Sequence, residues 1–181
     1  MVKMKIIFNI IPALILLFCS CEHKNNAPEE QDDSQLSKLK LPEGFKIAFY
    51  AKDVVNARSL AVSDDGTVFV GTLKGNNVYA LVDADKDGVA EKKYTVASGM
   101  HSPNGVAFHN GSLYIAEVNK IWRIDNIEST LKNPAKPIPV SDGFPSEEHH
   151  GWKYISFGPD GKLYVPVGAP CNICNDNEKD P

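Results

Sequence analysis

Three stretches of the chain alternate apolar and polar residues about a tight turn: LAVSDDGTVFVGT from Leu60, VAFHNGSLYIAE from Val106 and ISFGPDGKLYVPV from Ile155. A period of two marks a half-buried strand, and an Asp-Gly or Asn-Gly turn between two such runs closes a hairpin. The turn glycines Gly66, Gly111 and Gly161 stand 45 and then 50 residues apart, a spacing that belongs to propeller blades. Further strands are predicted over 45–50, 77–82 and 92–97 around the first hairpin (57–62 and 67–72), and over 121–125 after the second (105–107 and 112–117). No amphipathic helix is evident, and a Pro- and Asn-rich stretch, NIESTLKNPAKPIPVSDG, follows the second unit.

This pattern predicts an all-β fold of four-stranded propeller blades. Only two to three blades are written, and so few leave a broad apolar sheet face bare. The expectation is therefore either an N-terminal piece of a longer protein or a chain that assembles with copies of itself.

The residues before the first hairpin read differently. Lys3 and Lys5 precede an apolar run from Ile6 to Phe18, which suits a signal-peptide core and falls short of the roughly 20 residues that span a bilayer. The run ends in Leu17-Phe18-Cys19-Ser20-Cys21, which resembles a bacterial lipobox with Cys21 as the lipidated new N-terminus. The predicted organisation is a signal peptide over 1–20, a tether over 21–40 that is too polar to bury much surface, and blades over 41–181. Export follows, with contact to a membrane through the lipid anchor alone. A net charge of −4 with dispersed lysines argues against a nucleic-acid partner.

Four groups of residues carry candidate chemistry. His149-His150, ahead of the third hairpin, sit where a propeller loop faces the central channel, and a neutral imidazole takes up a proton near neutral pH. Asn104 enters the second hairpin at the equivalent place, and its amide both donates and accepts; Arg58 occupies that place in the first. Asp83, Asp85, Asp87 and Glu91, spaced about Gly88, offer hard oxygen ligands on a short turn, as calcium requires. Cys171 and Cys174 lack the following His of a haem motif and the further ligands of a zinc site, which leaves a local disulfide in an exported protein.

The strings LPEGFKIAFYAKDVVNARSLAV, SGMHSPNGVAFHNGSLYIAEVNKIWRID and HHGWKYISFGPDGKLYVPVGAPCNIC resemble the sorbosone dehydrogenase branch of the quinoprotein glucose dehydrogenase superfamily. That resemblance covers 41–174 with the blade spacing intact. It implies a six-bladed propeller, of which this chain holds the first two to three blades, that binds pyrroloquinoline quinone (PQQ) with calcium and oxidises a sugar or sorbosone-like substrate by hydride transfer to the quinone. It further implies a histidine base on the substrate hydroxyl. Counting back from Pro159 places it at His150, while an alignment anchored on Gly151 places it at His149. Lys153 falls near the family's basic residue and would face the quinone's anionic oxygens. Met100 stands where the soluble glucose enzymes use a glutamine, so that contact is missing. Most basic contacts to the quinone come from later blades in this family, so the 181 residues alone are expected to have little activity; the electron acceptor is unknown. The competing readings are a metal-dependent gluconolactonase-like hydrolase, with the Asn104-Gly105 loop holding the ion, and a non-catalytic propeller that binds partners at the cell surface.

Overall fold

The computed structural model describes residues 33–169 and 171–172. Ten strands form two four-stranded antiparallel sheets and a hairpin. The first sheet is the meander β1 (Ala57–Val62), β2 (Val68–Thr72), β3 (Val78–Val82) and β4 (Lys92–Ala97). The second is β5 (Gly105–His109), β6 (Ser112–Ala116), β7 (Ile121–Ile124) and β8 (Ile138–Ser141). β9 (Ser156–Phe157) and β10 (Leu163–Tyr164) begin a third unit. Sheets joined by their innermost strands, with β1 packed on β5 and β5 on β9, are the blades of a β-propeller.

Two sequence expectations are corrected. Residues 45–50 form no strand; Phe45 and Ile47 stay exposed and find no ladder partner. Conversely, β8 forms inside the Pro-rich stretch, because Pro139 lies on the sheet edge, where a missing N–H costs no ladder bond, opposite Trp122. Among the described residues the only helical segments are two short 3-10 turns, and none is long and apolar enough to cross a membrane.

Turn chemistry sets the hairpins. Asn110 and Gly111 both take positive φ, 48° and 76°, as a two-residue turn between His109 and Ser112 requires. The first and third hairpins instead close five-residue loops between Val62 and Val68 and between Phe157 and Leu163. Each carries a left-handed glycine, Gly66 or Gly161, whose N–H donates to the carbonyl of Ser63 or Gly158.

Strand alternation divides each blade into two faces. Phe69, Val78, Ala80 and Val96 of the first blade meet Val106, Leu113, Ile115 and Ile124 of the second in one core, where the Phe69 and Phe108 rings stack at 6.0 Å. The opposite face of the second blade, Ala107, Ala116 and Ile121, packs on Ile155, with Phe157 edge-on to Tyr114 at 4.9 Å and stacked on His109 at 4.2 Å. A fully buried Leu or Ile in such a core contributes about 1.5–3 kcal/mol, so the joints between blades, more than any one sheet, hold the units together.

Candidate functional site

The loops entering β5 and β9 meet at the joint between the second blade and the third hairpin. Asn104, at the head of β5, is buried, and its two ends work in opposite directions. Its backbone carbonyl accepts from the Ser59 hydroxyl of β1 at 2.5 Å, while its side-chain Nδ2 donates to the Lys153 carbonyl at 2.7 Å. Oδ1 of the same amide is buried with no partner among the described residues.

Close backbone approach makes this possible. A Cβ on Gly71 would lie 2.2 Å from the Asn104 carbonyl oxygen, and one on Gly105 would lie 2.4 Å from that of Lys153. Both positions therefore demand glycine. Arg58, Asn104 and Lys153 hold the same place at the heads of the three innermost strands, a place that the spacing assigns to the histidine pair in the third unit, and their side chains diverge. Arg58 is exposed. Lys153 is buried, and its ammonium donates to the carbonyls of Val118 at 2.6 Å and Gly151 at 3.0 Å, above the Phe144 ring. Burial lowers its pKa, because removing an ammonium from water disfavours the charged form. A lysine so engaged is a clamp between the second blade and the histidine loop rather than a group held open to a ligand.

The histidine pair stands directly before that clamp. His150 has φ of 58°, left-handed and uncommon for a residue with a Cβ. Its Nδ1 lies 3.0 Å from the Ala169 carbonyl, which can only accept, so Nδ1 carries the hydrogen. In the neutral ring Nε2 then holds the lone pair. The loop is packed tightly: a Cβ on Gly168 would fall 2.3 Å from the His150 carbonyl oxygen, and one on Gly151 would fall 2.1 Å from that of Glu147. His149 lies against His150 with ring centroids 4.0 Å apart but is itself exposed, and Trp152 stands edge-on to His150 at 6.1 Å. Of the two histidines, His150 is the one whose ring is oriented by a backbone partner.

A network that no sequence motif reveals ties the two entry loops together. Glu117, buried at the end of β6, accepts from the His101 backbone N–H at 2.5 Å and from the Trp122 indole at 2.7 Å. The His101 ring in turn reaches the Glu148 carboxylate at 3.1 Å. The bonded partners are 5 to 47 positions apart, too far and too unevenly spaced to read as a pattern. Met100, in the place of the family glutamine, is buried in the core between the first two blades.

The acidic turn lies elsewhere, between β3 and β4. Ligand oxygens of Asp83, Asp85, Asp87 and Glu91 all lie within 4.8 Å of one another. Backbone N–H groups of Asp87 and Gly88 donate to Asp83, that of Val89 to Asp87 and that of Ala84 to Glu91, so the carboxylates converge from a preformed loop. The Asp85 pKa is raised, first by partial desolvation and then by the neighbouring Asp87, Glu91 and Asp83 charges. Cys171 is disulfide-bonded. Cys174, its expected partner, and Cys21 lie outside the described residues.

Comparison with known proteins gives this arrangement its relatives. In its holo form the PQQ domain of pyranose dehydrogenase from Coprinopsis cinerea has the same fold, with a TM-score of 0.56 at 14% identity over 67% of this chain and 30% of that one. The PQQ-bound aldose sugar dehydrogenase from Streptomyces coelicolor gives a TM-score of 0.49 at 18% identity over 67% of this chain and 40% of its own. A Borreliella burgdorferi protein described as uncharacterized is 25% identical over 148 residues, which are 76% of this chain and 37% of that protein. The chain thus spans about a third of the length of these relatives. A family model described as a domain of unknown function, DUF7133, matches residues 31–180, and the chain belongs to that family.

Proposed function

We propose that these blades form part of a PQQ-dependent sugar dehydrogenase, with His150 as the base that takes the substrate hydroxyl proton. The observation that carries this reading is the Ala169 carbonyl on Nδ1. It orients the imidazole and leaves Nε2 as the acceptor, which is what proton removal from an alcohol needs. The left-handed backbone and the Gly151 and Gly168 contacts hold the ring in place before substrate arrives, so little reorganisation is left for the reactive step. Trp152 offers a partly exposed indole edge-on to His150, an apolar surface for a sugar ring. A solved propeller of like fold is the PQQ domain of a pyranose dehydrogenase, and this supports the substrate class.

The quinone, when bound, supplies the two-electron acceptor. For its acidic groups the described residues fit only in part. Arg58 is exposed at the head of β1 and is the basic side chain available at this ring of entry loops. Lys153 is engaged with two backbone carbonyls and does not fit the role of quinone contact that the resemblance implied. One open cation is a weak hold on a polyanion, so turnover by the 181 residues alone is expected to be low. Calcium is proposed at the Asp83 turn, where it would brace the β3–β4 connection. Lipidation at Cys21 after export would place the blades at a membrane surface.

The reading is tested by absorbance titration of PQQ into the purified chain and its Arg58→Ala variant. Saturable binding that Arg58→Ala weakens about tenfold, near 1.4 kcal/mol, supports it. Binding that is indifferent to Arg58 removes Arg58 as a quinone contact, and metal-dependent lactone hydrolysis without quinone would replace the quinone reading with the hydrolase.

A further inference from the structure

His150 stands at a corner of a tight turn. The Gly151 N–H donates to the Glu148 carbonyl at 3.0 Å, so Glu148 and Gly151 close a four-residue turn with His149 and His150 between them. A positive φ at the third residue of a turn is a place for Gly or Asn, yet His150 takes it at 58°. Contacts from outside the turn must therefore hold a histidine there. On the far side these are the Ala169 carbonyl on the ring and the Lys153 ammonium on the Gly151 carbonyl. On the near side the contact is His101, whose Nε2 lies 3.1 Å from the Glu148 carboxylate.

His101 reaches Glu148 from a loop that is itself fixed. Met100, the residue before it, is buried in the core between the first two blades. The His101 N–H donates to the buried Glu117 carboxylate, which also accepts from the Trp122 indole. Gly99 and Ser102 turn the chain on either side, with φ of 69° and 48°. The backbone is thus pinned, while the His101 side chain emerges at 55% exposure beside that of Glu148 at 78%. A carboxylate only accepts, so Nε2 of His101 carries the hydrogen. His150, bonded through Nδ1 to Ala169, holds its hydrogen on the other nitrogen.

We infer that His101 is a positioning residue for His150, acting through Glu148 to hold the near end of the turn that carries it. An exposed ion pair ordinarily contributes little, because two long side chains must be ordered to make it. Here Glu117 and Met100 already fix the His101 backbone, so the contact has chiefly the Glu148 side chain to order. That the hold serves proton removal rests on the reading of His150 as the base; that it orders the turn does not.

Amide hydrogen exchange followed by NMR on the purified chain, without quinone, tests it. His101→Phe keeps a ring but loses the donor. The Gly151 N–H should then exchange about fivefold faster, the most that an exposed pair of this kind supplies, with the amides of β6 unchanged. A second form of the His150 ring, protonated at Nε2, should appear alongside. His101→Gln, which keeps an N–H donor, should restore the wild-type rate. Glu148→Ala should match His101→Phe, and the double variant should be no faster than either. Circular dichroism establishes that each variant folds, and Glu148→Ala, at an exposed side chain, carries the test should His101→Phe fail to fold. A Gly151 rate indifferent to both substitutions, a rise shared by β6, a His101→Gln rate equal to that of His101→Phe, or additive effects in the double variant would overturn it. Each readout is independent of quinone and turnover, so its failure is distinct from failure of the PQQ titration.

Discussion

Nδ2 of Asn104 donates to the Lys153 carbonyl at 2.7 Å, and this bond joins the head of one innermost strand to the head of the next. It converts a residue that reads as a candidate ligand contact into a structural pin between blades. Asn104→Ala leaves the Lys153 carbonyl buried without its donor, and a buried unsatisfied acceptor costs about 1–3 kcal/mol. Urea denaturation of the variant should show a lower midpoint at unchanged slope.

Lys153 works in the same joint through its other end. Lys153→Met keeps the length of the side chain but strips the Val118 and Gly151 carbonyls of their common donor. Relief of the ammonium's desolvation offsets part of the loss, so the net destabilisation is expected at about 1–2 kcal/mol. The depressed pKa gives the pH dependence: stability associated with this group is present above the unfolded lysine pKa and is lost as pH falls through the folded value. In Lys153→Met that alkaline dependence should vanish, as urea midpoints measured from neutral to alkaline pH will show.

Glycine at 168 is required by the His150 backbone. Gly168→Ala would set a Cβ 2.3 Å from the His150 carbonyl oxygen, and because the neighbour is backbone the histidine loop must move. The Ala169 bond to Nδ1 should break with it. Nitrogen NMR of the His150 ring is expected to show loss of the single Nδ1–H form in this variant, at a cost of about 1–3 kcal/mol in stability.

At the acidic turn the raised Asp85 pKa means that the ionised carboxylate is disfavoured in the folded chain. Its contribution to stability is present below the unfolded aspartate pKa and is lost as pH rises through the folded one. A bound cation reverses that repulsion. Calcium is expected to raise the melting temperature at neutral pH, and Asp85→Asn to raise it without calcium while abolishing the calcium response. Terbium should bind in calcium's place and be sensitised by Tyr50, whose pKa is raised by burial and then by the Asp83 and Glu91 charges. A melting temperature indifferent to calcium in the wild type would remove the site.

The blade period and the alternation about Gly66, Gly111 and Gly161 predict nine of the ten strands, because hydrophobic alternation and turn glycines are local signals. β8 is hidden in the sequence because proline argues against a strand unless the edge position is known. The segment at 45–50 misleads in the other direction, because alternation alone does not supply a ladder partner. The site is legible by residue type but not by role. Spacing groups Arg58, Asn104 and the His149-His150 pair at the entries of the three hairpins, yet the structure puts Lys153 at the head of the third innermost strand, and which side chain turns inward depends on contacts 35 to 49 residues away. Glu117 gives no sign, since a lone glutamate ending a strand looks like any solvated residue until His101 and Trp122 converge on it.

The most direct test of the central claim follows the His150 ring by nitrogen NMR while PQQ is titrated into the chain. The predicted result is a neutral ring protonated at Nδ1, whose Nε2 resonance shifts saturably as the quinone binds. A ring protonated at Nε2, or an Nε2 resonance that does not respond to saturating quinone, would contradict the assignment of His150 as the base of a quinone-dependent site.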